Sequence, residues 1–142
     1  MGKLFFFAGL TVFIGLIFVI VANLYGYADP VRSCYISIDS DATRGNGETI
    51  KQALQYIRDE YPSDYYMVCT NVVKIVETPC HYFDEQKNIL YNYPNEGCYI
   101  KGSRMIHILP DETTGDVTVL KRAKAIIHTA KKSSDYWASK IN

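Results

Sequence analysis

The pattern of apolar and polar positions divides this chain into two materials. Leu4 to Leu24 is a run of 21 residues without a charge. About 20 apolar residues cross a bilayer as a helix, so the run predicts a transmembrane signal anchor over 1–28. A cleaved signal peptide is the alternative, because Gly26-Tyr27-Ala28 offers small residues ahead of Asp29. Lys3 and the N-terminal amine place the N-terminus on the cytoplasmic side by the positive-inside rule, an argument that Arg32 weakens. Thr11 and Gly15 lie four apart, a spacing that lets a partner helix approach, but no G-x-x-x-G is present.

Beyond that run the pattern changes to short, mixed elements. Cys34 to Asp39 alternates apolar and polar and predicts a strand. Residues 40–47 have loop composition. Their surroundings hold four oxygen donors, Asp39, Asp41, Asn46 and Glu48, but Ala42, Thr43 and Arg44 interrupt the alternation that a calcium loop needs. Ile50, Ala53, Leu54, Ile57 and Tyr61 recur at helical spacing and predict a helix over Glu48–Tyr61, ended by Pro62. Ser63-Asp64 reads as the N-cap of a short helix over 65–70. The β-branched run Val72–Glu77 and the alternating Arg104–Leu109 predict strands. Between them, Pro79–Gly97 reads as a disulfide-closed hairpin. Pro110–Gly115 is a turn, and a final helix runs from Val117 to Ile141 with Asp116 as its cap. The expected fold is α+β: a few short antiparallel strands and about three helices, the longest at the C-terminus, in a domain over 29–142.

Cysteine usage agrees with an exported domain. Cys34, Cys69, Cys80 and Cys98 all follow the apolar run, and their spacings contain no C-x-x-C of a zinc site. Four cysteines permit three connectivities. We expect Cys80–Cys98, closing the loop rich in tyrosine, asparagine and proline, with Cys34–Cys69 as the second pair. Net charge is zero but uneven: residues 29–100 carry six Lys/Arg against eleven Asp/Glu, and 101–142 carry eight against four. That asymmetry is too small for a nucleic-acid footprint. It can hold two halves of one domain together or mark a binding face. Tyr82, Phe83, Tyr91 and Tyr93 form a candidate protein interface, since rings with polar tips suit half-wet surfaces.

The closing helix raises the question of catalysis. On a helical wheel Val119, Leu120, Ala123, Ile126, Ile127, Ala130, Ser134 and Trp137 share the face expected to be buried. His128 falls nearly opposite, among Lys121, Lys124, Lys131 and Lys132. Earlier in the chain Thr49, Ile50, Ala53, Leu54, Tyr56, Ile57, Arg58, Pro62 and Tyr65 are followed by Val68-Cys69. Later come Ala123, Ile126, Ile127, His128, Ala130, Ser133 and Tyr136. In this order and spacing the chain resembles, over 48–137, a group of small bacterial zinc-metallopeptidase-like domains that are often exported or membrane-anchored. In the H-E-x-x-H motif of that group the glutamate is the general base and the histidines hold zinc.

The chain departs from the motif where chemistry needs it. Thr129 stands in place of the glutamate and Lys132 in place of the second histidine. Threonine cannot activate a zinc-bound water, and an ammonium has no lone pair for a metal. The resemblance therefore implies a degenerate member with no catalytic residue, no metal and no cofactor, in which His128, Thr129 and Lys132 are vestigial positions. No nucleophile elbow, P-loop or dinucleotide fingerprint is present, and the adjacent Cys80 and His81 lack the geometry of a nucleophile and its base. The expected function is a single-pass, extracytoplasmic binding or assembly module that is not an enzyme. Its candidate binding face is Lys121, Lys124, His128, Lys131 and Lys132, and its partners are the membrane and a protein or a second copy. The alternatives are a structural subunit that multimerises through its membrane helix and tyrosine loop, and a peptidase-like hydrolase with unusual ligands.

Overall fold

The computed structural model describes residues 2–83, 88–92 and 96–141, with side chains described throughout these except at 2–7, 22, 23, 82, 83, 91 and 92. Helix α1 (Gly2–Tyr25) runs without a linker into strand β1 (Gly26–Asp29). β2 (Cys34–Asp39), α2 (Gly47–Glu60), α3 (Pro62–Asn71) and β3 (Lys74–Glu77) follow. A 3-10 turn at Cys80–Phe83, strands β4 (Ile89–Asn92), β5 (Gly97–Ile100) and β6 (Met105–Ile108), and α4 (Asp116–Ile141) complete the chain.

The expected α+β class, the two disulfides and the longest helix at the C-terminus are all observed. The strand arrangement corrects the expectation. All six strands form one mixed sheet in the order β1-β2-β3-β6-β5-β4. β2, β3 and β6 are parallel neighbours, and only the outer pairs are antiparallel. The reason is the crossover. α2 and α3 carry the chain back to the end of the sheet where β2 began, so β3 must run alongside β2 in the same direction. The β4–β5 hairpin is then inserted at the far edge before β6 returns to the centre.

One face of the sheet makes the core. The inward rows are Tyr27 and Ile36, then Ile38, Ile75, Ile106 and Tyr99 across four strands. They pack against Ile50, Leu54 and Ile57 of α2, Val68 of α3, and Ala123, Ile126 and Ala130 of α4. Of the helical stripe read for α2, Ile50, Ala53, Leu54 and Ile57 have no exposed surface, whereas Tyr61 lies at the C-cap and is exposed. The N-cap is Asn46, whose side chain accepts from the N–H groups of Glu48 and Thr49 at 3.1 and 3.3 Å. Asn46 is therefore a capping residue, two residues before the helix start read from periodicity.

Two local expectations change. α3 begins with Pro62 in its first turn and without a side-chain cap, so Ser63-Asp64 lies inside the helix. Proline there loses nothing, because the first turn has unused N–H groups. The sheet also starts at Gly26, ahead of the expected boundary at Asp29. Tyr27 is buried in it, and its hydroxyl lies 2.9 Å from that of Tyr65.

Among the described residues no helix is long and apolar enough to cross a membrane. The side chains described in α1 cover 8–21, 24 and 25, a stretch shorter than a bilayer span. Leu10, Val12, Phe13, Ile14, Leu16, Ile17, Phe18, Ile20 and Val21 are all exposed, and Phe18 meets Tyr35 of β2 edge-on at 5.9 Å.

Candidate functional site

The closing helix is the element on which the sequence placed its candidate chemistry, and its buried face is rotated from the expected one. The buried residues are Thr118, Arg122, Ala123, Ala125, Ile126, Thr129, Ala130 and Ser133. Leu120, expected inside, is exposed, and Val119, Ile127, Ser134 and Trp137 are half-buried. Two contacts explain the rotation. A Cβ on Gly97 would lie 2.5 Å from the Thr129 hydroxyl and 2.7 Å from the His107 carbonyl, so glycine lets α4 close on the sheet at Thr129. About two turns earlier, Arg122 reaches Glu77 at the end of β3.

Among the described residues this is the most enclosed ion pair. Glu77 has no exposed side-chain surface and Arg122 has 3%. Arg122 Nη2 donates to Glu77 Oε1 and, at 2.6 Å, to the Asp111 carbonyl. The Asn46 N–H donates to the same Glu77 oxygen at 3.2 Å. A Cβ on Gly45 would collide with Glu77 Oε2. The pair therefore joins the end of β3, the cap of α2, the turn before α4 and α4 itself. Sequence reasoning missed this pair. Its signal was the phase of β3, in which Glu77 shares a face with Ile75.

A second buried network sits near the Cys34–Cys69 bridge. The Tyr65 hydroxyl donates to Asp29 Oδ2 at 2.9 Å, and Arg32 reaches the same carboxylate through its backbone N–H and Nη1 at 3.2 and 3.3 Å. Burial pushes the Asp29 carboxyl up, but the bonds from Tyr65 and Arg32 outweigh it and hold it below the ordinary value. Burial, with the bonds to Tyr27 and Asp29, pushes the Tyr65 hydroxyl well above its ordinary range. His107 lies opposite Cys98 in the β5–β6 register, and burial followed by the charge of Lys74 lowers its pKa.

The three positions that the resemblance singled out differ in exposure. His128 is exposed, Thr129 is fully buried, and Lys132 is half-buried. Lys121, Lys124 and Lys131 are exposed with His128, and Lys121 pairs with Asp111 at 3.4 Å. Asp41 is spent locally. It accepts from the backbone N–H and hydroxyl of Thr43 and from Arg44, and these bonds lower its pKa to about 2. Among the described residues no group of three or more His, Cys, Asp or Glu side chains is placed to hold a metal ion. Of the candidate tyrosine interface, Tyr93 and the side chains of Tyr82, Phe83 and Tyr91 lie outside the described residues. Cys34–Cys69 and Cys80–Cys98 are the observed bridges, with Cα atoms 5.1 and 5.9 Å apart. Comparison with protein-family models, curated proteins and solved structures finds no match for this chain.

Proposed function

We propose that this protein is a single-pass, membrane-anchored domain that works outside the cytoplasm as a non-catalytic binding or assembly module. The observation that carries the reading is α1. Among its described side chains, Leu10, Val12, Phe13, Ile14, Leu16, Ile17, Phe18, Ile20 and Val21 are all exposed, and a contiguous apolar surface of that kind is expected where lipid or protein covers it. The helix joins β1 directly, so the anchor holds the sheet close to the membrane surface.

Two further features support the reading. Both disulfides belong to an oxidising compartment. Tyr27 is buried and hydrogen-bonded within the sheet, so cleavage after Ala28 would remove an edge strand; this favours the anchor over a cleaved signal peptide. The non-catalytic part of the reading rests on α4. Thr129 is locked against the sheet at Gly97, and Lys132 offers an ammonium where a zinc ligand would stand. This arrangement suits a degenerate relative of the metallopeptidase-like domains. Alkaline carbonate extraction of membranes from cells producing the full chain tests the anchor. The protein is expected in the membrane pellet, with its C-terminal domain open to protease from the extracytoplasmic side. Release into the carbonate supernatant would overturn the proposal.

A further inference from the structure

The C-terminal turns of α4 and the strand edge beside them line an open groove of about 680 Å³. That is within the range of roughly 300–1,000 Å³ typical of small-ligand pockets. Lys132, Tyr136 and Lys140 are spaced four apart on α4, so they fall along one stripe of the helix. Lys101, after β5, lines the same cavity from the other side, with Asn88 and Leu90 beside it.

The lining has a defined chemical character. Among the described residues Lys101, Lys132 and Lys140 form no ion pair with any carboxylate. Lys140 Nζ stands 5.4 Å from the Tyr136 ring centre, and that ring is braced by Tyr99 at 6.0 Å and Trp137 at 5.4 Å. Tyr136 and Leu90 are half-buried and give the cavity an apolar floor beneath a cationic rim. One carboxylate, Asp135, also lines it. Three ammonium groups around one void favour a compact, doubly charged anion. Asp135 opposes a second anionic group but accepts hydrogen bonds from hydroxyls.

We propose that this groove binds a phosphate group carried on a polyol or sugar, with the phosphate between the lysines and hydroxyls toward Asp135 and Asn88. The site shares only Lys132 with the basic face read from the sequence. The proposal deepens the binding role and rests on it, but it does not depend on the anchor, so a failed extraction and a failed titration are separate results.

The test uses the full chain in a neutral detergent and follows binding by calorimetry. The probes are glycerol phosphate, glycerol, glucuronate and inorganic phosphate. Flotation with phosphatidylglycerol or phosphatidylcholine vesicles separates a lipid headgroup from a soluble source. The expected result is saturable binding of glycerol phosphate and none of glycerol. Lys132→Gln and Lys140→Gln should each weaken binding about five-fold or more, while Lys124→Gln changes it less than two-fold. Asp135→Asn should weaken glycerol phosphate relative to inorganic phosphate. Binding only to phosphatidylglycerol vesicles, with the same lysine dependence, would support the phosphate–polyol chemistry and assign it to a headgroup. No saturable binding of either phosphate source, an equal loss in Lys124→Gln, or glucuronate binding as tightly as glycerol phosphate would overturn the proposal. Each variant's fluorescence-monitored melting temperature confirms that the fold is intact before titration.

Discussion

Replacing Arg122 by methionine should unfold the domain more readily than any surface change on the same helix. The substitution keeps an unbranched apolar stem to pack against α4's neighbours but removes the guanidinium. Glu77 then keeps its buried carboxylate with the Asn46 N–H as its remaining donor, at 3.2 Å. Removing one partner of a buried pair costs about 3–5 kcal/mol, chiefly because the other charge is left uncompensated. Small domains are stable by about 5–15 kcal/mol, so the loss is a large share of the whole. Glu77→Met should cost a similar amount for the mirror-image reason. The double variant removes both charges together and should fall short of the sum of the two single losses by roughly 3 kcal/mol or more. The residual cost is the Asn46 N–H and the Asp111 carbonyl, each worth about 1 kcal/mol once it loses its partner. Denaturant unfolding in neutral detergent with both disulfides intact measures this, read from Trp137, whose Nε1 donates to the Ser103 carbonyl at 3.3 Å. Strictly additive losses, or a loss under about 1 kcal/mol in either single variant, would refute the claim that this pair joins the four elements.

Three other outcomes follow from the same structure. Replacing Cys34 and Cys69 together by serine opens a loop of 35 residues and should cost about 4 kcal/mol; the 18-residue loop of Cys80–Cys98 should cost about 3 kcal/mol, both read from shifts in the unfolding midpoint. Tyr65→Phe removes a donor from buried Asp29 and should cost about 1–3 kcal/mol. Because the folded Asp29 carboxyl lies below its ordinary value, its contribution is complete above that value and lost as pH falls through the folded one. Acid unfolding should therefore begin at higher pH in Tyr65→Phe, as a pH series of melting curves will show. His107 also has a lowered pKa, through burial, so below about pH 6.5 the unfolded chain binds a proton that the native chain does not. Stability should decline as pH drops from there, and His107→Gln should flatten that decline; an unchanged slope would show that His107 does not cause it.

Much of the architecture was legible without coordinates because it is local. The 3.6-residue period of Ile50, Ala53, Leu54 and Ile57 is a property of one helix, and all four residues are buried. The bridges Cys34–Cys69 and Cys80–Cys98 followed from cysteine positions and loop composition. β1 was not legible, since Gly26–Asp29 follows directly on the apolar run and its alternation is too short to separate from it. The parallel centre of the sheet was hidden as well, because strand direction is decided by where a crossover ends and not by the residues of the strand.

The stretch around His128 shows the division most clearly. By itself the sequence predicted a helix over Val117–Ile141 with Asp116 as its cap, one residue short of the observed start, and it set His128 with Lys121, Lys124, Lys131 and Lys132 on the outer face, where all but the half-buried Lys132 are exposed. Only the tertiary structure decided which stripe of that helix is buried. A wheel ranks faces by hydrophobicity, and it set Arg122 and Thr129 aside in favour of Leu120. The folded chain buries them because Glu77, 45 residues earlier, supplies the countercharge and Gly97 leaves room for the threonine. A charge can be buried only beside its partner, and that partner is brought into place by the sheet. The same rotation turns Lys132 away from the open basic face and into the groove with Lys101 and Lys140.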